Sequence, residues 1–173
     1  PVHQIKEFAP RYSFGCAVST TPHLAVAMLD HPEHGARVLD DWQHHAVYYA
    51  MTGGGVGSVH PLPGFADPFV RYRLRPADLA ELGHALHDLA RCLFAAGATR
   101  LYPTLAGSSV LTTPDDLVTL PAALPRRSSL MTIHLFGSCP MGEDLSRCVT
   151  DSWGRVHGAP GLHVGDASVL CGP

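Results

Sequence analysis

The sequence predicts an α+β fold. Leucines recur at helical spacing between Pro76 and Ala96, a pattern typical of a helix with one apolar face. Residues 42–51 and 69–74 instead alternate from one side chain to the next, as strands do. Helices combined with antiparallel strands of this kind define the α+β class.

The first thirty residues predict turns and one short helix. Residues 8–15 contain Pro, Ser and Gly among aromatic side chains and indicate a turn-rich opening. Residues 22–29 predict a helix that turns Leu24 and Met28 towards a core. Pro32 and Gly35 then favour a loop over residues 31–35.

Two strands with a glycine-rich stretch between them follow. Residues 42–51 are aromatic and apolar and predict the first strand, and residues 69–74 predict a half-exposed antiparallel strand. Residues 53–57 are mostly glycine, but Ser58 stands where a dinucleotide-binding Gly-x-Gly-x-x-Gly needs its last glycine. No helical pattern follows them, so we predict a flexible hairpin tip.

The long helix carries its own start and stop signals. Pro76 suits the first turn, Asp78 suits the positive end of the helix dipole, and Gly97 suits the end. The expected apolar stripe consists of Leu79, Leu82, Leu86, Leu89 and Leu93.

The remaining elements are shorter. We expect a strand at residues 99–102 and a helix at residues 113–120, where Thr113 and Pro114 resemble a helix start. The polar stretch 125–129 then reads as a connector. It predicts two regions, residues 1–127 and residues 128–173.

Two residues of the second region are candidates for chemistry. Residues 130–136 predict a buried strand that carries His134 just before Gly137, where a general base would be useful. A lone histidine can equally be an ordinary hydrogen-bonded side chain. A second strand delivers Asp166 into a turn of small residues, where it can hold ribose or polyol hydroxyls or simply cap a helix. The local pattern leaves both alternatives open.

These residues belong to an ordered series at the end of the chain. The series is His134, Gly137-Ser138-Cys139, Met141-Gly142, Val149, Asp151, Arg155-Val156, Gly158, Gly161-Leu162, Val164 and Asp166-Ala167-Ser168. It resembles the C-terminal signature of the glucose-methanol-choline (GMC) flavin oxidoreductases. The resemblance covers the last forty or so residues closely, and the preceding region resembles the family's substrate domain only loosely.

The resemblance implies an FAD-dependent enzyme that oxidises a small-molecule alcohol and passes the electrons to oxygen or another acceptor. Residues 1–127 would form part of the substrate-binding region, with an antiparallel sheet and helices. Residues 128–173 would return into the FAD-binding α/β domain. His134 would take the hydroxyl proton while hydride passes to flavin N5, and Gly165, Asp166 and Ala167 would contact the FAD.

Two features depart from the family pattern. The family's second active-site histidine or asparagine lies beyond the Asp-Ala-Ser segment, and the chain stops at Pro173. The N-terminal dinucleotide fingerprint is missing as well. We therefore expect a fragment that lacks the nucleotide-binding half and is inactive alone.

Two other functions compete with this interpretation. One is a truncated, inactive domain that cannot hold flavin. The other is a histidine-rich metal-binding module, since the chain has 12 histidines, several of them close neighbours in sequence. Pairs such as His31 with His34 or His84 with His87 have no third ligand in view, so we assign no metal site.

Composition excludes some partners. A net charge of -3 without a Lys/Arg cluster argues against nucleic acid and anionic membrane surfaces. No apolar run is long enough to span a bilayer. The five widely spaced cysteines include no Cys-x-x-Cys pair, which favours a reducing compartment and hence the cytoplasm.

Overall fold

A computed structural model of the chain describes residues 4–5, 12–128, 130–132 and 136–170. The chain divides into two compact units, Pro1–Ser129 and Leu130–Pro173, which we call the N-terminal and C-terminal units. The N-terminal unit contains helices and two small antiparallel sheets. The predicted α+β class is therefore confirmed.

The first sheet has three strands in the order β1-β2-β3. They are β1 (Gln4–Ile5), β2 (Tyr12–Cys16) and β3 (Tyr48–Thr52), and each pairs antiparallel with its neighbour. Tyr12 and Phe14 alternate inwards from β2 and are buried. The expectation of a turn-rich opening at residues 8–15 is thus wrong for the described residues 12–15. Gly15 suggested a turn, but it lies in β2, where the absence of a side chain leaves room for the ring of Tyr49. An added Cβ would lie 2.6 Å from that side chain.

The long helix α3 (Pro76–Ala95) covers this sheet and confirms the predicted helix to within one residue. Ala85 and Leu89 pack with Tyr12 and Phe14 of β2 in one core cluster. The helix is followed by Gly97 at φ 96°, a left-handed conformation that ends helices. The leucines of the predicted stripe are buried or pack as partly buried residues in the core clusters.

Two helices precede the sheet's last strand. The first, α1 (Thr21–Ala27), agrees with the predicted helix, whereas the loop expected at residues 31–35 is wrong because α2 (Pro32–Asp40) occupies this stretch. Pro32 takes the first helical position, where an amide has no partner within the helix, so a proline loses no hydrogen bond there. Val38 of α2 packs with Leu24 and Met28, and that burial supports the helix despite its glycine.

The second sheet is a hairpin of β4 (Val56–His60) and β5 (Phe69–Arg73), with Val59 opposite Val70. Every residue of β5 is exposed. The strand predicted over residues 42–51 is shortened to β3, because Trp42–His44 form a 3-10 turn.

We expected the glycine stretch to form a flexible hairpin tip, and this prediction is wrong. The stretch links β3 of one sheet to β4 of the other. The Gly55 amide donates to the Asp78 carboxylate (3.2 Å), and the Tyr72 hydroxyl donates to the Gly54 carbonyl. A Cβ on Gly54 would lie 2.8 Å from Asp78 Oδ1. Glycine is needed here for close packing.

The rest of the N-terminal unit has little regular structure. The strand expected at residues 99–102 is reduced to one bridge between Leu101 and Leu111. The helix expected at residues 113–120 is a 3-10 helix, Pro114–Thr119, whose start is held by the Asp116 carboxylate through the amides of Thr112 and Thr113. Leu117 and Leu120 pack against α3 residue Ala90.

In the C-terminal unit, the described residues form single bridges and tight turns in place of the predicted strands. Residues 133–135 of the expected strand 130–136 lie outside the described residues, and the described part of that stretch is not in a strand. Arg155 bridges His163, and Thr150 bridges both Met141 and Val156. Across the described residues, no helix is long and apolar enough to cross a membrane.

Candidate functional site in the C-terminal unit

His134, the candidate base, lies outside the described residues, but the loop that follows it is described. We call residues 137–142 the post-histidine loop. It begins at Gly137, which has φ 72° and would place a Cβ 3.6 Å from the Leu170 carbonyl oxygen. The loop therefore starts close to the end of the segment that carries Asp166.

Two backbone hydrogen bonds join this loop to the residues after Asp166. The Cys139 amide donates to the Ser168 carbonyl (2.9 Å), and the Met141 amide donates to the Val169 carbonyl (3.1 Å). Both donors belong to the post-histidine loop, and both acceptors belong to the 3-10 turn Ala167–Val169. The structure thus brings the two halves of the sequence signature into direct contact.

Asp166 caps that turn. Its carboxylate accepts a hydrogen bond from the Ser168 amide (2.8 Å), so the capping alternative describes its local role. The Ser168 hydroxyl and then the Ser168 amide hold the pKa of Asp166 below its usual value, and weak desolvation opposes them. The side chain is exposed, as are Gly165 and Ala167. An ionised carboxylate on an exposed turn remains able to accept further hydrogen bonds from hydroxyl groups.

The other end of the post-histidine loop is held by residues 149–157. The Gly142 amide donates to the Thr150 carbonyl (2.8 Å), and the Val149 amide donates to the Pro140 carbonyl (2.8 Å). His157 adds a side-chain bond, since its Nε2 lies 3.0 Å from the Gly142 carbonyl oxygen. A carbonyl only accepts, so Nε2 carries the proton.

Asp151 organises the turn between Thr150 and Arg155. Its carboxylate is largely buried and accepts bonds from the Trp153 amide (2.9 Å), the Arg155 amide (3.0 Å) and Arg155 Nε (2.6 Å). Desolvation acts to raise the pKa of Asp151, but these donors outweigh it and the pKa lies below its usual value. Gly154 completes the turn at φ 76°, where a Cβ would lie 2.7 Å from the Val164 carbonyl oxygen.

Asp151 and His157 were not among the site residues predicted from the sequence. Asp151 is a member of the signature, and its Asp-x-x-Gly-Arg spacing is a turn signal that could have been used. His157 fills a position that the signature leaves open. No local pattern indicates that its side chain reaches Gly142, fifteen residues earlier.

The neighbouring histidines of the N-terminal unit have ordinary partners. Buried His31 places Nε2 2.8 Å from the Pro103 carbonyl oxygen, and His44 Nδ1 lies 2.6 Å from the Asp41 carboxylate. Among the described residues, no three His, Cys, Asp or Glu side chains are placed to hold a metal ion.

Comparison with known proteins gives a consistent result. The model of the GMC oxidoreductase C-terminal region matches residues 60–173. An uncharacterized GMC-type oxidoreductase of Sinorhizobium fredii is 37% identical to the chain over 98% of its residues, which correspond to 34% of that relative. An uncharacterized GMC-type oxidoreductase of Mycobacterium tuberculosis is 34% identical over 89% of the chain and 25% of the relative.

A shorter match involves a relative with a named activity. Paromamine 6'-oxidase of Streptomyces fradiae is 46% identical over 37 residues, which are 21% of this chain and 7% of that enzyme. No solved structure matches the chain. The chain spans about a third or less of the length of the relatives that match most of it. The family match over residues 60–173, together with these relatives, confirms the resemblance seen in the signature, and the chain belongs to the GMC oxidoreductase family.

Proposed function

We propose that this chain forms part of an FAD-dependent oxidoreductase that oxidises an alcohol, with His134 as the proton acceptor. The observation that carries the proposal is the pair of hydrogen bonds between the post-histidine loop and the Ala167–Val169 turn. They join the loop that follows the candidate base to the turn that follows Asp166, the candidate cofactor contact. Family membership supports the oxidoreductase class.

The exposed turn at Asp166 fits the cofactor that the resemblance implies. FAD carries a ribityl chain rich in hydroxyl groups, and an ionised carboxylate accepts hydrogen bonds from such groups. Asp166 is exposed and its pKa is held low, so it is ionised at neutral pH. Among the described residues, no atom lies within 4 Å of where a Cβ at Gly165 would be, which leaves room for a ligand beside the carboxylate. We assign Gly165, Asp166 and Ala167 to cofactor contact on these grounds.

The reaction would begin with the substrate hydroxyl hydrogen-bonded to His134. The imidazole withdraws the hydroxyl proton as the carbon-bound hydrogen leaves, because an alkoxide expels hydride far more readily than an alcohol does. When bound, the flavin supplies the acceptor for that hydride. The hydrogen bonds between the post-histidine loop and the Ala167–Val169 turn would hold the segment that follows the base at a fixed position relative to the cofactor contact.

The extent of the chain bears on how such an enzyme would be built. The Sinorhizobium relative is about three times as long as the region that it shares with this chain. We propose that the nucleotide-binding half of the FAD site comes from polypeptide corresponding to the rest of such relatives. The name paromamine 6'-oxidase supports oxidation as the reaction class.

The test compares His134→Ala with the wild type in the full-length gene product. We expect the variant to retain flavin, seen as visible absorbance, while alcohol-dependent bleaching of the flavin slows by about two to four orders of magnitude. His163→Ala is the matched control, because His163 is an exposed histidine of the same unit and should change neither property. Unchanged bleaching in His134→Ala would refute the assignment. Failure of the wild type to take up FAD on reconstitution would favour the inactive-domain alternative.

A further inference from the structure

His157 connects two segments of the C-terminal unit that are distant in sequence. Its amide donates to the Val149 carbonyl (3.0 Å), and its Nε2 donates to the Gly142 carbonyl (3.0 Å). The side chain is half-buried. Backbone and side chain of a single residue therefore bind both Val149 and the end of the post-histidine loop.

Gly142 is also held by its own amide and by close packing. Its amide donates to the Thr150 carbonyl (2.8 Å), and its backbone φ of 153° is one that residues other than glycine rarely adopt. A Cβ at this position would lie 2.7 Å from the Cys148 sulfur. Gly142 is thus held on both sides, by Thr150 through its amide and by His157 through its carbonyl.

Gly142, the fixed end of the loop, is next in sequence to a residue that donates a hydrogen bond to the Ala167–Val169 turn. Met141, which donates to the Val169 carbonyl, directly precedes Gly142. Releasing the Gly142 carbonyl would therefore loosen the Met141 and Cys139 bonds to the Ala167–Val169 turn. Misplacing a catalytic group by about 1 Å can reduce a rate by about a hundred-fold, so this bond matters for chemistry as well as for stability.

We propose that His157 is a positioning residue for alcohol oxidation. Its Nε2–H fixes the post-histidine loop, which follows His134 in the sequence, against the turn that begins at Asp166. The inference rests on the proposed function of His134. A purely structural role would lower the stability of the fold without affecting kcat in the folded enzyme.

Three variants of the full-length gene product separate these possibilities. His157→Leu removes the donor at similar side-chain volume. His157→Gln keeps an N–H donor near the position of Nε2, whereas His157→Asn is too short to reach Gly142. His163→Leu is the control, because His163 is exposed and no side-chain hydrogen bond to it is found in the described chain.

Two readouts are measured on flavin-loaded protein below its unfolding temperature. Steady-state oxidation gives kcat and KM, and amide hydrogen exchange reports on residues 139–150. In His157→Leu we expect faster exchange of these amides and a kcat lower by about ten- to a hundred-fold, with KM changed much less. His157→Gln should recover most of both losses, and His163→Leu should match the wild type. If the leucine variant does not fold, the asparagine variant should show its losses.

The outcomes distinguish this inference from the proposed function. Unchanged exchange in both His157→Leu and His157→Asn would overturn the assigned hydrogen bond. Faster exchange with an unchanged kcat would overturn the positioning role while leaving His134 as the proton acceptor. A wild-type protein that binds flavin but oxidises no alcohol would overturn the proposed function, and the positioning role with it.

Discussion

Asp166 and Asp144 are chemically similar residues with different expected roles. Both are exposed aspartates, and each accepts a hydrogen bond from the amide two residues later, Ser168 for Asp166 (2.8 Å) and Ser146 for Asp144 (2.9 Å). Only Asp166 caps a turn that is hydrogen-bonded to the post-histidine loop. Their local geometry is the same, so a difference between them would have to come from what else each carboxylate binds.

We predict that Asp166→Ala weakens flavin retention and that Asp144→Ala does not. Loss of the Asp166 carboxylate removes an acceptor for cofactor hydroxyls, and a hydrogen bond to a charged group typically contributes about 1.5–3 kcal/mol. The measurement is the FAD dissociation constant of each full-length variant, from flavin fluorescence during dialysis or titration. Equal dissociation constants for both variants and the wild type would remove Asp166 from the cofactor site.

At the scale of elements, two helical glycines differ in how much room a side chain would have at their positions. Gly83 of α3 lies against the segment at residues 122–124, where a Cβ would come within 2.7 Å of the Ala122 carbonyl carbon and 3.0 Å of Ala123 Cα. The Leu124 amide donates to the Leu79 carbonyl (2.9 Å) in the same contact. Gly35 of α2, in contrast, would place a Cβ where no atom of the part of the chain that the structure describes lies within 4 Å.

The same substitution should therefore have opposite effects in the two helices. We expect Gly83→Ala to lower the free energy of unfolding by about 1–3 kcal/mol, because backbone atoms must move to admit the methyl group. Gly35→Ala should raise it by about 0.5–1 kcal/mol, because alanine loses less backbone entropy on entering a helix. Urea denaturation of the two variants measures both changes. A neutral Gly83→Ala would mean that the 122–124 segment is not packed on α3.

These two helices also show what the sequence could and could not predict about the elements. Helix α3 was predicted to within one residue because its leucines repeat at helical spacing between a starting Pro76 and a terminating Gly97. Helix α2 was missed because Pro32 and Gly35 are usually loop residues. Its stability comes from Val38, which packs with residues of α1, and a tertiary contact of this kind leaves no local pattern.

The candidate site was only partly predictable for a related reason. The signature pointed to His134, Gly165, Asp166 and Ala167, and their roles remain predictions. The contacts that join the post-histidine loop to the Ala167–Val169 turn are backbone hydrogen bonds. Backbone groups are the same in every residue, so such pairing has no side-chain signature. The link from His157 to Gly142 was missed for the same reason, because its acceptor is a carbonyl.

At the scale of the whole molecule, the described part of each unit contains a buried aspartate whose carboxylate closes a turn. Asp78 in the N-terminal unit accepts from the Arg75 amide (2.7 Å), the Arg75 guanidinium (3.0 Å) and the Gly55 amide (3.2 Å). The Arg75 side chain contributes most to holding the pKa of Asp78 below its usual value, against desolvation. Asp151 has the corresponding role in the C-terminal unit, with its pKa also lowered.

The direction of these shifts determines how stability depends on pH. A carboxyl group whose pKa is lower in the folded state than its value of about 3.9 in the unfolded chain stabilises the fold fully above that value. The contribution is lost as pH falls from that value through the folded-state pKa, because the unfolded chain then binds a proton more readily than the folded one. Both units should therefore lose stability below about pH 4. Neither aspartate contributes any pH dependence near neutrality.

We predict that Asp78→Asn lowers the free energy of unfolding at pH 7 by about 1–3 kcal/mol, since asparagine keeps the shape of the side chain but not its charge. The difference from the wild type should shrink as pH falls below about 4, because the wild-type carboxylate is then neutralised as well. Denaturant unfolding at a series of pH values measures this convergence. Asp115→Asn is the control, since Asp115 is an exposed aspartate of the same unit that does not bridge two segments, and it should follow the wild-type curve. A difference between Asp78→Asn and the wild type that stayed constant down to the most acidic pH would mean that the charge of Asp78 does not cause the loss, and that its ion pair with Arg75 does not stabilise the glycine stretch on α3.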